Sequence, residues 1–340
     1  LSIIAFGTHL SRFHGYTINH ILESGFEVDY KIDSLLLGDS PEAISSAIAL
    51  TSIKFSSFWA EHYEDFDLVF CLGDRYEMFA AVYAGIPFRI KYAHIHGGET
   101  TLGAIDNIYR HAISLASFYH FTATKFFARR VASIIGNNTN VYSVGSLSLD
   151  NILQFECLSI TEFKKKWQID LSKPTILFTF HPETVEYLNI KKQSEFILLV
   201  LELLSKKFQI LLTMPNADTM SSFLRSQLLS RLGGVSNIFF RESLGTQSYF
   251  SALKYCSFVF GNSSSGIIEA ASFGKFVINI GNRQRGRLKS ENIFDTEYDI
   301  DKIQLLLKKL QKRGFKYTGK NIYYKRNSSR LIMNIIKKNE

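Results

Sequence analysis

The chain has 340 residues, 46% of them apolar, a formal net charge of +8 and three cysteines. That length leaves room for two domains with full cores. No run of about 18 uncharged apolar residues occurs, so no membrane span is expected; three scattered cysteines (Cys71, Cys157, Cys256) argue against a disulfide framework and fit a reducing cytoplasm.

The opening run, "LSIIAFGTHLS", lacks the basic flank and cleavage site of a signal peptide. Further on, "DLVFCLGD" (67–74), "IKYAHIHG" (90–97), "YHFTAT" (119–124) and "VYSVGS" (141–146) read as buried parallel strands, with helical patterns over 76–85, 106–116 and 125–135. A more polar segment follows at 150–172, and then the alternation restarts. Strands are predicted in "TILFTFHP" (175–182), "FQILLTMPN" (208–216), "NIFFR" (237–241), "SFVFGNSS" (257–264) and "FVINIG" (276–281), and helices over 191–206, 217–231, 246–254 and 302–313. Two blocks of β–α alternation imply an α/β chain of two doubly wound domains, 1–150 and 151–340. From residue 302 onward there are twelve Lys or Arg and one acid, Glu340. A polyanion-binding tail would look like this, but so would a basic terminal helix or a general preference for anionic ligands, and no nucleic-acid partner is expected.

Most of the predicted strands run into small or polar residues, which is where an open α/β sheet keeps its functional loops. "GNSSSGIIEA" (261–270) places Ser263, Ser264 and Ser265 at a helix start, suited to an anion or to a plain serine cap, with Glu269 about one turn in. It matches neither a Walker A loop nor GxGxxG, so ATPase and nicotinamide readings fall. "GNRQRGRLKS" (281–290) brings Arg283, Arg285 and Arg287 directly after a strand, where guanidinium groups suit phosphate or carboxylate. His181 sits at a strand end in "FTFHPETVE".

The densest stretch is "HIHGGETTLGAID" (94–106), preceded by "LGDRYE" (72–77). His94 and His96 would point the same way on a strand and, with Glu99 and Asp74, could be read as a metal site. No further ligand has a fixed spacing, however, and His94 lies inside an apolar run. An acid–base centre is the other reading: Asp74, Glu99 and Asp106 follow adjacent strand ends with His96 and Arg75 beside them, and clustered carboxylates push each other's pKa upward. Gly97 and Gly98 would let backbone approach a ligand closely. Asp106 also fits a helix N-cap.

As an ordered set, "LGDRYE", "AHIHGGETTLGAID", "RHAIS", "FHPET", "GNSSSGIIEA" and "INIGNRQRGR" resemble the hydrolysing UDP-N-acetylglucosamine 2-epimerases, in particular their bacterial sialic-acid branch. The resemblance implies two Rossmann-like domains in a glycosyltransferase-B arrangement, a homodimer, and neither metal nor nicotinamide cofactor. The last helix would pack back on the N-terminal domain. The implied reaction takes UDP-N-acetylglucosamine and water to N-acetylmannosamine and UDP through a glycal, for sialic-acid or capsule synthesis. The same chemistry on a UDP-2,4-diacetamido-6-deoxy sugar is the alternative, and a non-catalytic UDP-sugar binder is a third. Asp74, His96, Glu99, Asp106 and His181 become the catalytic set, with Asp74, Glu99 and Asp106 as its acid–base candidates; Arg75 and His181 lie near the sugar and diphosphate, and Ser263, Ser264, Glu269 and Arg283 hold UDP, with Asn216 and the loop containing Ser243 lining the site. Some relatives carry glutamate at the position of His96, so the group that takes the C2 proton stays open among His96, Glu99 and Asp106. Relatives also begin with a strand, a Gly-Thr-Arg loop and a helix before "GTHLS", an element expected to be missing from these 340 residues.

Overall fold

A computed structural model describes residues 1–36, 38–154, 156–216 and 218–339. The chain forms two compact units: Leu1–Thr101 with Ile105–Ser146 and Lys325–Glu340, and Leu102–Ala104 with Leu147–Tyr324.

In the first unit the order is β1 (Ile4–Phe6), α1 (Ile18–Glu23), β2 (Tyr30–Ile32), α2 (Pro41–His62), β3 (Val69–Leu72), α3 (Tyr76–Gly85), β4 (Tyr92–Ile95), α4 (Asp106–Ala116), β5 (Tyr119–Thr122), α5 (Lys125–Ile135) and β6 (Val141–Ser143). Strands β3-β4-β5-β6 form one parallel sheet, and β1 pairs with β2 in a separate parallel pair. The core gathers Phe55, Phe58 and Trp59 of α2 against Cys71, Val82, Tyr92 and Ile113. Burial of such aromatics contributes roughly 2–3 kcal/mol each, so α2 anchors this sheet.

The second unit runs α6 (Leu147–Gln154), α7 (Ile160–Trp167), β7 (Thr175–Thr179), α8 (Ile190–Ser205), β8 (Gln209–Thr213), α9 (Ser221–Leu232), β9 (Ile238–Arg241), α10 (Gly245–Tyr255), β10 (Phe258–Gly261), α11 (Ser264–Ile268), β11 (Val277–Ile280), β12 (Ile293–Thr296) and α12 (Ile300–Lys312). The final helix, α13 (Ser328–Asn339), belongs to the first unit. Six parallel strands lie in the order β9-β8-β7-β10-β11-β12. This is the doubly wound Rossmann order, and its direction of winding reverses between β7 and β10, where such sheets open a crevice. Strands β7, β8, β10 and β11 are buried along their whole length, as helices on both faces require.

The more polar segment at 150–172 is largely helical. It holds most of α6 and all of α7, the latter started by a capping box in which Ser159 and Glu162 satisfy each other's backbone N–H.

Candidate active site

The first set of predicted residues gathers at the carboxyl ends of β3 and β4. Strand β4 stops at Ile95, and His96 turns out of it with a left-handed backbone, φ +66°. That turn breaks the two-residue alternation, so the expectation that His94 and His96 point the same way fails. His94 stays in the core, fully buried, with Nε2 2.8 Å from the Gly73 carbonyl and Nδ1 3.0 Å from Ser114 Oγ. Burial holds its pKa down to about 4, against the raising effect of the Gly73 carbonyl. Both its nitrogens are engaged in the core, and among the described residues no group of three or more His, Cys, Asp or Glu is arranged to hold a metal.

His96 instead directs Nδ1 at Glu99 Oε1, 2.7 Å away, and Nε2 at Ser146 Oγ, 3.3 Å away. The Glu99 side chain is 1% exposed and that of His96 16%. The carboxylate therefore lies behind the ring, and the ring is the part that reaches open space.

Asp74 is bound by the Arg110 guanidinium. The same arginine donates to the Glu99 carbonyl at 2.9 Å and to Thr101 Oγ1 at 3.3 Å. Arg110 is 2% exposed and was missed in the sequence, where "NIYRHAI" read only as a helix. Its spacing from Asp106, one turn into α4, places it under the loop. Arg75 is held by both oxygens of buried Glu77, at 3.1 and 3.2 Å.

Asp106 is the first helical residue of α4, not its cap. The cap position is Ile105, and no side chain caps it. Gly97 and Gly98 pack against the protein's own core. A Cβ on Gly97 would meet His94 and Ser114, and one on Gly98 (φ +77°) would lie 2.5 Å from the Phe127 carbonyl. They let the loop lie on its own core.

Part of the second set lies at the reversal point of the six-stranded sheet: His181 follows β7, and Ser263 and Ser264 follow β10, whereas Ser243 follows the edge strand β9. Asn262, fully buried, ties the ends of β7 and β10 together. Its Oδ1 accepts from the His181 N–H at 2.7 Å, and its Nδ2 donates to the His181 carbonyl at 2.8 Å. Its own carbonyl accepts from Gln284 Nε2 at 2.8 Å, which brings the arginine loop alongside. Gly261 (φ +129°) is required here, since a Cβ would collide with the Thr179 carbonyl.

The His181 Nδ1 accepts the Asn216 backbone N–H at 3.2 Å, which leaves Nε2 as the donating nitrogen. Ser263 caps α11 by accepting from the Ser265 N–H, and Ser264 opens that helix, both half-buried. Glu269 lies at its C-terminal end and accepts from Ser148 at 2.7 Å. Ser243 accepts from the Gly245 N–H. Arg283 pairs with Asp218 at 3.4 Å, Arg287 donates to Gln284 Oε1, and Arg285 is exposed. Glu183 orders this loop from below: its Oε1 accepts from Tyr298 at 2.8 Å and from the Asn282 N–H at 2.9 Å, while burial raises its pKa.

Residues 1–337 match the family model described as UDP-N-acetylglucosamine 2-epimerase. The chain belongs to that family. It is 35% identical over 322 residues to a GDP/UDP-N,N'-diacetylbacillosamine 2-epimerase (hydrolyzing) of Campylobacter jejuni, covering 93% of this chain and 81% of that one. A UDP-N,N'-diacetylbacillosamine 2-epimerase (hydrolyzing) of Legionella pneumophila is 32% identical over 320 residues, covering 94% and 83%. Among solved structures, the UDP-GlcNAc 2-epimerase of Neisseria meningitidis bound to UDP-GlcNAc superposes with a TM-score of 0.77 at 18% identity, covering 96% of this chain and 89% of that chain. At that identity the 2-epimerase likeness is one of fold, and the Rossmann order of the second unit is part of it.

Proposed function

We propose that this 2-epimerase is a hydrolysing enzyme acting on a UDP-linked 2,4-diacetamido-6-deoxy sugar. The single observation that favours this substrate is the relatedness, at 35% and 32% identity, to two enzymes named for diacetylbacillosamine. UDP-N-acetylglucosamine is the second reading, favoured by the family's own description. In either case the product is a free amino sugar inverted at C2, the kind of precursor used for sialic-type acids and capsules.

In the proposed reaction His96 takes the C2 proton. The C1–O bond breaks as the C1–C2 double bond forms, and UDP departs. Water then adds its oxygen to C1, and a proton returns to C2 on the opposite face. Glu99, buried behind the ring, fixes its orientation and stabilises the imidazolium. Asp106 is assigned the returning proton, a role that Asp106→Asn would refute by turning over at the wild-type rate. Asp74 and Arg75, engaged with Arg110 and Glu77, shape the loop.

In the second unit, Ser263, Ser264, Glu269 and Arg283 hold UDP, with Asn216 and Ser243 at its margins. His181 donates through Nε2 to the departing diphosphate; the N–H it receives at Nδ1 argues against a role as base. A homodimer is also proposed. Its support is the apolar groove of Phe79, Tyr83, Ile86, Leu115 and Phe118 on α3, α4 and their flanks, and a monomer by light scattering would count against it.

The test of substrate is UDP release from each nucleotide sugar. A kcat/KM higher for the diacetamido sugar supports the first reading, and one higher for UDP-N-acetylglucosamine supports the second. No release from either leaves only a UDP-sugar binder.

A further inference from the structure

We infer that Ser146 is a positioning residue for His96, forming with Glu99 a three-membered Glu–His–Ser array. The inference rests on the role proposed above for His96. Three observations carry it. The His96 ring lies between two partners, Glu99 Oε1 at 2.7 Å from Nδ1 and Ser146 Oγ at 3.3 Å from Nε2. Ser146 is fully buried, so its hydroxyl has no bulk water to exchange with. It is also held in place by the chain on either side: Val144 donates to the Thr122 carbonyl at 2.9 Å, and Gly145 (φ +90°) packs so closely on Lys325 and Ser328 that a Cβ there would lie 2.6 Å from Lys325 Cβ.

The chemistry gives the hydroxyl its purpose. An ionised carboxylate only accepts, so Glu99 keeps a proton on Nδ1. Neutral His96 then presents a lone pair at Nε2, and the serine O–H donates to it. Once the ring has taken a proton, Nε2–H donates to the serine oxygen instead. A hydroxyl serves both states by rotating, which neither a carboxylate nor an ammonium can do. The contact is long, so it yields readily to an approaching C–H while still returning the ring to one orientation after each transfer. The left-handed backbone of His96 is consistent with a residue held by its surroundings against its own preference.

The test compares Ser146→Ala, Ser146→Thr and wild type on the nucleotide sugar that wild type turns over. The alanine variant should lose about tenfold in kcat, the worth of one hydrogen bond in the transition state, with KM within about twofold. The pH dependence of kcat should shift, and threonine should restore both. In parallel, nitrogen-15 NMR of the free protein should show the Nδ1–H tautomer of His96 in wild type, with the Nε2 resonance displaced in Ser146→Ala and restored in Ser146→Thr. Thermal melts check that each variant is folded. An alanine variant with wild-type kcat and an unmoved Nε2 resonance would overturn the inference, as would a loss confined to KM. If wild type releases no UDP, the proposed function fails on its own, while the Nε2 resonance still decides whether Ser146 holds the ring.

Discussion

His96 Nδ1 and Glu99 Oε1 lie 2.7 Å apart, with the carboxylate buried and the ring partly open. In the proposed reaction this relationship divides labour between two residues that the sequence left as rivals. A group with 1% of its side chain exposed is poorly placed to reach a sugar, whereas its neighbour is both accessible and oriented by it.

Glu99→Gln should therefore leave UDP affinity within a few-fold of wild type while lowering kcat by about 100-fold or more, the usual worth of general acid–base assistance. The amide still fills the space but no longer stabilises an imidazolium. Calorimetry with UDP and steady-state turnover together check this, and a near-normal kcat would remove Glu99 from the catalytic set.

Arg110 carries three of the contacts that shape the same loop, to Asp74, to the Glu99 carbonyl and to Thr101 Oγ1. Replacing it with alanine strips the ion pair from Asp74 and leaves a buried carbonyl without its donor. The expected loss is about 3 kcal/mol of folding stability, read from denaturant midpoints. Lysine should recover little, because one ammonium cannot span all three acceptors. A change below about 1 kcal/mol would contradict this account.

How much of this was legible beforehand follows from the physics of each signal. Strands β3 to β11 and helices α3, α4 and α5 announce themselves by apolar runs and 3.6-residue periods. Helix α2 did not, although Ser40 and Pro41 are a proper start signal and the Ser40 hydroxyl accepts from the Ala43 N–H. Exposed Ile53 on its outer side blurs the stripe. The three-residue strands β1 and β2 are too short to show a period. In the site, acids and histidines were found by residue type, but their partners were not. Arg110, Asn262, Glu183 and Ser146 act through distant contacts, and no local pattern marks a residue whose partner lies 36 or 81 positions away. His94 and His96 do not share a side as strand alternation predicts, because the left-handed turn at His96 ends the alternation, and Asp106 is one position inside the helix rather than at its cap.

Acid should weaken the fold through its buried histidines. Burial lowers the pKa of both His94 and His120 to about 4, below the ordinary value of 6.5. Between these values the unfolded chain binds more protons than the folded one. Their contribution is thus complete above pH 6.5 and is lost as pH falls toward 4. For fully buried His94 that amounts to about 3 kcal/mol. Urea midpoints at pH 7.5 and pH 4.5 should separate clearly in wild type and less in His94→Asn; an equal separation in both would discount His94.

The central claim is that proton removal at C2 and departure of UDP belong to one reaction. It is tested most directly by turnover in heavy water with the UDP-linked 2-acetamido sugar that the enzyme accepts. UDP and a free sugar inverted at C2, carrying one deuterium at that carbon, are predicted. UDP released with a sugar of unchanged configuration and no deuterium at C2 would show simple hydrolysis and contradict the account.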